Sequence, residues 1–212
     1  MCLCADRLCG NDDDDDKITD GKNGEYVING HKFIDLGLPS GLLWAECNVG
    51  AATPEDAGYY YAWGETEPKD YYDVGNYKFT NFSKYNADDA KVTLEATDDV
   101  ATVKWGKRCH IPTVTEMNEL YHNCNWTPTN NNTLAGYTVT GPNGNSIFLP
   151  LAGRKRSSEV ELKGQTGYYW SSSIYYDYTA QTMMIDFGLS VLIGGHFNCR
   201  EVGFSIRPVA RK

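Results

Sequence analysis

The sequence predicts an α+β domain of short strands, two helices and long loops. Three observations carry that prediction. Gly (21) and Tyr (15) are abundant among 212 residues, and Trp (5) is well represented, a mixture that suits strands and tight turns better than a helical bundle. Turn signals recur along the chain, from Asn29-Gly30 to Pro142-Asn143-Gly144-Asn145. Helix-start signals occur convincingly at only two places, Thr53 and Thr113.

Residues 1–24 carry charge and no periodicity, and read as a disordered acidic tail ahead of a domain over 25–212. The segments 25–28 and 31–36 read as strands joined at Asn29-Gly30, a strong hairpin signal because both residues tolerate positive φ. Leu38-Pro39-Ser40-Gly41 is a turn, and 42–47 is a further strand. Thr53 followed by Pro54 has the form of an N-cap and first helical residue, so a short helix is expected there. Residues 64–92, rich in Tyr, Asp, Asn and Lys, read as a long surface loop. Thr113 with Glu116 forms a capping box, and Met117, Leu120 and Tyr121 make an apolar stripe, so a second helix starts there. Beyond Tyr137 the chain reads as strands and turns, with strands over 137–140, 146–151, 167–173, 183–187 and 203–209.

The net charge is −9, and the five Asp of 12–16 supply over half of it. The rest is mildly acidic with no basic stripe, which argues against a nucleic-acid partner. No apolar run approaches the ~20 residues that span a bilayer. Of seven Cys, three (Cys2, Cys4, Cys9) lie in the tail and four (Cys47, Cys109, Cys124, Cys199) in the domain. An even four permits disulfides without fixing a pairing, and free buried thiols are equally consistent. The tail has three open readings: a solvated charged segment, an Asp-Asp-Asp-Asp-Lys tag, or the region of a lipid anchor at Cys9. In the last reading, Cys9-Gly10 and the Asp run resemble the mature start of surface lipoproteins in Bacteroides-like bacteria, although residues 1–8 carry no apolar run.

Catalytic patterns are missing. His31, His110, His122 and His196 lack metal-ligand spacing, Ser171-Ser172-Ser173 is no nucleophile elbow, and there is no phosphate-cradling Gly loop. Glu65, Glu67, Asp98 and Asp99 could in principle form a carboxylate pair for glycoside hydrolysis, but exposed loop acids are far commoner than catalytic ones. The Glu-Pro-Asn or Gln-Pro-Asp and the Trp-Asn-Asp triplets of calcium-dependent sugar sites do not occur. No catalytic residue, metal or cofactor is expected.

Seven sequence blocks occur in order: IDLGLPSGLLW at 34–44, CNVG at 47–50, YAWGET at 61–66, IPT at 111–113 with Glu116 and Leu120, GNSIFLP at 144–150, YWSSS at 169–173, and RxxGxSxRPV at 200–209. Together they resemble the Fibrobacter succinogenes major paralogous domain family, over 25–209. Cys109 departs from the pattern, where family members commonly carry Trp. The resemblance implies a C-type-lectin-like (formylglycine-generating-enzyme-like) fold and a ligand-displaying binding or adhesion module. Some relatives are the variable proteins of diversity-generating retroelements, in which the segment between the YWSSS and RPV blocks is rewritten at template adenines.

Rewriting the first two bases of an Asn codon reaches fifteen residue types and excludes Lys, Glu, Gln, Met and Trp. Stretches 174–180 and 188–199 contain none of those five types, although the five types together supply roughly one residue in six of the chain. The excluded types return at Gln181, Met183 and Met184. A diversified ligand-binding face is therefore expected from Ile174, Tyr175, Tyr176, Asp177 and Tyr178 with Leu189, Val191, Leu192, His196, Phe197 and Asn198. Tyr175, Tyr176 and Phe197 are the expected anchors. The same residues also read as strand residues packed on a core. Trp170 and the Arg207-Pro208-Val209 strand would be the frame, with Arg200 and Arg207 bonding internally. The resemblance implies a protein or glycan receptor on another cell surface as partner, and a cell-surface, extracellular or phage-particle location. A non-diversified surface lipoprotein domain with a structural or glycan-binding role is the alternative. An enzyme of the formylglycine-generating type would need a reactive Cys pair.

Overall fold

The computed structural model describes residues 17–130, 135–176, 179–186 and 190–212, by backbone alone over 190–196. Among the described residues the regular structure is mostly strand, with two α-helices, and the fold is of the α+β class. The first four strands are β1 (Ile18–Asp20), β2 (Glu25–Ile28), β3 (His31–Asp35) and β4 (Leu43–Ala45). Helix α1 (Val100–Trp105), strand β5 (Cys109–His110) and helix α2 (Val114–Asn123) follow. Strands β6 (Asn125–Asn130), β7 (Ala135–Thr140) and β8 (Ser146–Pro150) form an antiparallel meander, and β9 (Arg154–Arg156) pairs with β10 (Glu159–Glu161). Strands β11 (Thr166–Tyr176), β12 (Thr179–Asp186) and β13 (Ser190–Cys199) form a second meander, and β14 (Val209–Ala210) ends the chain.

The largest sheet runs β1-β2-β3-β4-β14-β5, all antiparallel. Its order joins the two ends of the domain, because β14 inserts between β4 and β5. The predicted hairpin is there: Asn29 (φ 49) and Gly30 (φ 83) turn β2 into β3 in the left-handed conformations that such a turn requires. The capping box at α2 also forms, with Thr113 Oγ1 accepting from Glu116 N at 3.2 Å and Glu116 Oε2 accepting from Thr113 N at 2.7 Å.

Two apolar clusters fill the domain. Tyr168 and Trp170 stack on Phe204, at centroid distances of 5.0 and 4.2 Å, within the larger cluster around Trp63, Tyr77 and Tyr85. Tyr169, between them in sequence, points into the other cluster with Trp44, Met117, Met183 and Ile185. β11 is thus buried on both faces through Ser173, and alternation along the strand feeds both cores.

Three expectations need correction. The tail does not run to residue 24: β1 pairs with β2 through Ile18↔Ile28 and Asp20↔Tyr26, so residues 18–20 already form a strand. Its side chains are exposed, so backbone pairing rather than burial places it, and no hydrophobic pattern announced it. No helix forms at Thr53. The Asp56 carboxylate accepts from Thr53 N and Oγ1, each at 3.1 Å, and Asp56 N returns to Thr53 O, closing a turn before Gly58. The second helix is α1 instead, capped by Asp99. The stretch 64–92 is not merely a surface loop, because Tyr72, Tyr77, Phe79 and Tyr85 are buried in the larger core. No helix among the described residues is long and apolar enough to cross a membrane.

Candidate functional site

β11 is buried over its first eight residues, and then its exposure changes abruptly. Ile174 is half-buried, Tyr175 is 38% exposed and Tyr176 is 61% exposed. The strand therefore runs out of the core and presents its last residues at the surface. Across the sheet, Ile174 pairs with Ala180 and Ala180 with Asn198, while Tyr176 pairs with Thr179 and Thr179 with Cys199. Phe197 pairs with Gln181 and is 46% exposed. The ladder is irregular between Trp170 and Ile174, between Ile174 and Tyr176, and between Gln181 and Met183. Irregularities of this kind re-aim side chains and increase twist at a sheet end.

The three exposed rings form one cluster. Tyr175 and Phe197 stack at 4.4 Å with planes 8° apart, and Tyr176 meets Tyr175 edge-on at 4.4 Å. The charge and hydrogen bond of Tyr176 push the Tyr175 phenol upward in pKa, so Tyr175 stays a neutral hydrogen-bonding group at ordinary pH.

Beneath the cluster lies Arg200, fully buried. Its guanidinium donates to Lys84 O at 2.9 Å, to Tyr85 O, and at 3.5 Å to Tyr176 O, and it faces the Trp63 ring at 4.9 Å. It ties the end of β11 to the loop at Lys84 and Tyr85, the latter 115 residues from Arg200 in sequence. Gln181 Nε2 donates to Ile174 O at 3.1 Å, and Ile174 N donates to Val92 O at 3.0 Å. The other expected internal arginine, Arg207, is also buried, donating to Asn48 Oδ1 at 2.7 Å, Ala45 O at 3.1 Å and Glu46 O at 2.7 Å. Both arginines hold backbone, as their sequence context suggests. The supporting carbonyls of Lys84, Tyr85 and Val92 carry no sequence signal, because any residue supplies a carbonyl.

The expected face is brought together only in part. Ile174, Tyr175, Tyr176, Phe197 and Asn198 share one end of the sheet, and the backbone of His196 adjoins them. The backbone of Val191 is registered opposite Ile185 and that of Leu192 opposite Met184, at the other end of β12. Asp177, Tyr178 and Leu189 lie outside the described residues, as do the side chains of Val191, Leu192 and His196.

The four acids considered for a carboxylate pair have other partners. Glu65 accepts from Lys69 Nζ at 2.9 Å and Lys78 N at 2.7 Å, and Glu67 pairs with Lys104 at 2.8 Å. Asp98 holds Lys78 at 2.6 Å, Lys84 at 2.5 Å and the Tyr85 hydroxyl at 2.7 Å. Asp99 caps α1 through Ala101 N and Thr102 N and accepts from Ile111 N at 2.8 Å. Among the described residues, no group of three or more His, Cys, Asp or Glu could hold a metal ion. Among the described residues Cys47, Cys109, Cys124 and Cys199 form no disulfide, and Cys199 is exposed at the edge of the aromatic cluster.

Comparison with family models, with curated proteins and with solved structures returns no match.

Proposed function

We propose that this chain is a non-catalytic binding or adhesion domain of C-type-lectin-like type, whose ligand-binding face is the exposed end of the β11–β13 sheet. The observation that carries the reading is the cluster of Tyr175, Tyr176 and Phe197, three exposed rings on a buried frame of Trp170 and Arg200. Exposed aromatic rings on a rigid support suit recognition. They give large amphipathic contact at low conformational cost, and binding energy concentrates in such anchors.

The residue types over 174–180 and 188–199 support a further step, that the face is diversified by a retroelement and the chain is its variable protein. The partner would be a protein or glycan receptor on another cell surface. The chain would be displayed at a cell surface, through a lipid anchor at Cys9, or on a phage particle. The non-diversified surface lipoprotein domain keeps the same face with a fixed ligand.

Sequencing the locus in independent isolates tests the proposal. A diversified face requires a near-identical template repeat beside a reverse-transcriptase gene, with substitutions between isolates confined to codons over 174–199 that match template adenines. Invariant codons there, with no repeat, would leave the fixed-ligand reading and remove the retroelement.

A further inference from the structure

The sheet that carries the aromatic cluster has a short further segment beside β11. Leu94 N donates to Ser172 O and Ile174 N to Val92 O, each at 3.0 Å, and Thr93 pairs with Ser173 in antiparallel sense. Residues 92–94 thus border the last part of β11, and Val92 stands opposite Ile174. Opposed residues of an antiparallel pair project from the same face of the sheet.

This segment leaves the core as β11 does. Leu94 and Ile174 pack against the larger core. Val92, two residues before Leu94, is 68% exposed, more than any other large apolar side chain among the described residues. The apolar surface therefore does not stop at the three rings. It runs from Phe197 through Tyr175 and Tyr176 to Ile174 and Val92. A single exposed valine is ordinary, but one that continues an aromatic cluster makes a patch of the kind that marks an interaction site.

The backbone that carries Val92 is held from several directions. The Asp89 carboxylate accepts from Tyr85 N at 2.7 Å and from Asn86 N and Lys91 N at 3.1 Å. Glu95 N donates to the Tyr85 hydroxyl at 2.9 Å, and the Glu95 carboxylate pairs with Lys91 at 2.8 Å and Lys84 at 2.5 Å. Tyr85 (φ 58) and Ala90 (φ 53) lie in the left-handed region, which residues other than glycine keep only where their surroundings fix it. Arg200 fastens the same turn to the end of β11 through Lys84 O, Tyr85 O and Tyr176 O. Val92 and the rings share one frame, so little conformational freedom is lost when a partner covers them.

The chemistry of Val92 narrows what covers it. Its side chain has no hydrogen-bonding group and no ring face, so it contributes to binding by burial alone. An aliphatic side chain beside aromatic rings suits the charge-poor centre of a protein interface. We infer that Val92 is a fixed contact residue of the ligand-binding face, and that the partner covers it with an apolar protein surface. Val92 lies outside 174–180 and 188–199, so it would stay constant while those stretches vary. The inference rests on the reading of the aromatic end as a binding face.

The test pans the full chain against a phage-displayed library of random peptides and measures dissociation constants for the selected peptides. Peptides whose affinity falls with Tyr176→Ser define the face. Those same peptides are expected to lose about tenfold or more with Val92→Asp, which buries an unpaired charge. They should lose roughly two- to fivefold with Val92→Thr, which keeps the branched shape and adds a hydroxyl. Val103→Asp, at an exposed valine of α1 outside the face, should leave them unchanged. Both Val92 variants should melt near the native temperature, since exposed substitutions change stability little. Val92→Thr carries the test if Val92→Asp does not fold. If Tyr176-dependent peptides bind the Val92 variants as tightly as the native chain, the inference falls and the binding face stands. If no selected peptide depends on Tyr175, Tyr176 or Phe197, the binding face falls and the inference with it. A glycan array bound equally by the native chain and the Val92 variants, and lost only in Tyr176→Ser, would also overturn it, because the partner would then be a carbohydrate.

Discussion

Tyr175 and Phe197 stack face to face at 4.4 Å although their strands are not neighbours, the rings reaching across β12. Such a stack contributes about 0.5–1.5 kcal/mol beyond its burial. Phe197→Asn is therefore expected to lower the stability measured by a urea midpoint by no more than about 1.5 kcal/mol. Met183→Ala, in the core on the same sheet, should cost about 2–5 kcal/mol.

Arg200 should behave in the opposite way. It is buried and holds three backbone carbonyls from two parts of the chain. Arg200→Met should cost about 3 kcal/mol, since hydrogen bonds to a charged group are worth ~1.5–3 kcal/mol and their loss leaves buried carbonyls unpaired. Arg200→Lys should recover only part of that, because an ammonium cannot reproduce the planar fork. Denaturant midpoints of the two variants check both statements.

Asp98 gives a pH dependence. Burial works to raise its pKa, but hydrogen bonds from Lys78, Lys84 and Tyr85 outweigh burial and hold it below its ordinary 3.8. A group depressed in the folded state stabilises the fold above its unfolded value and loses that contribution as pH falls through the folded one. Asp98→Asn should therefore cost about 3 kcal/mol at neutral pH. The gap between variant and native chain should close on acidification below 3.8, which urea melts across an acid series would follow.

The edge strand β1 offers a smaller effect. A chain starting at Glu25 loses the β1–β2 pairing and the Lys17 N to Asn29 Oδ1 bond of 3.1 Å. All three β1 side chains are exposed, so the loss should be about 1 kcal/mol, or roughly 2–4 °C in melting temperature, relative to a chain starting at Lys17. A fall above ~10 °C would mean that β1 supports the core.

What the sequence discloses about this fold depends on how local the cause is. The Asn29-Gly30 turn and the Thr113–Glu116 capping box are settled by residues within four positions of each other, and both are legible. The Thr53-Pro54 signal is equally local but ambiguous, since a turn closed by Asp56 needs the same residues as a helix start. Helix α1 has its cap in Asp99 and its stop in Gly106, yet six residues give too short a stripe to stand out. Tyr72, Tyr77, Phe79 and Tyr85 look like loop residues because polar neighbours surround them. Only long-range packing against Trp63 and Arg200 buries them. At the candidate site, residue types point to Tyr175, Tyr176 and Phe197. They cannot reveal that the register sets Val191 and Leu192 at the other end of β12, which depends on how three strands align.

The central claim, that the aromatic end of the β11–β13 sheet is a face free to vary, is tested most directly by displaying two libraries and measuring the fraction of each that resists protease. One library randomises Tyr175, Tyr176, Phe197 and Asn198, and the other randomises Tyr168, Trp170, Met183, Ile185 and Arg207. Exposed positions usually change stability by about 0.5 kcal/mol or less, and core positions by several times that. Most members of the first library are predicted to survive and few of the second. Equal losses in the two libraries would show that Tyr175, Tyr176 and Phe197 belong to the fold rather than to a binding surface, and would contradict the account.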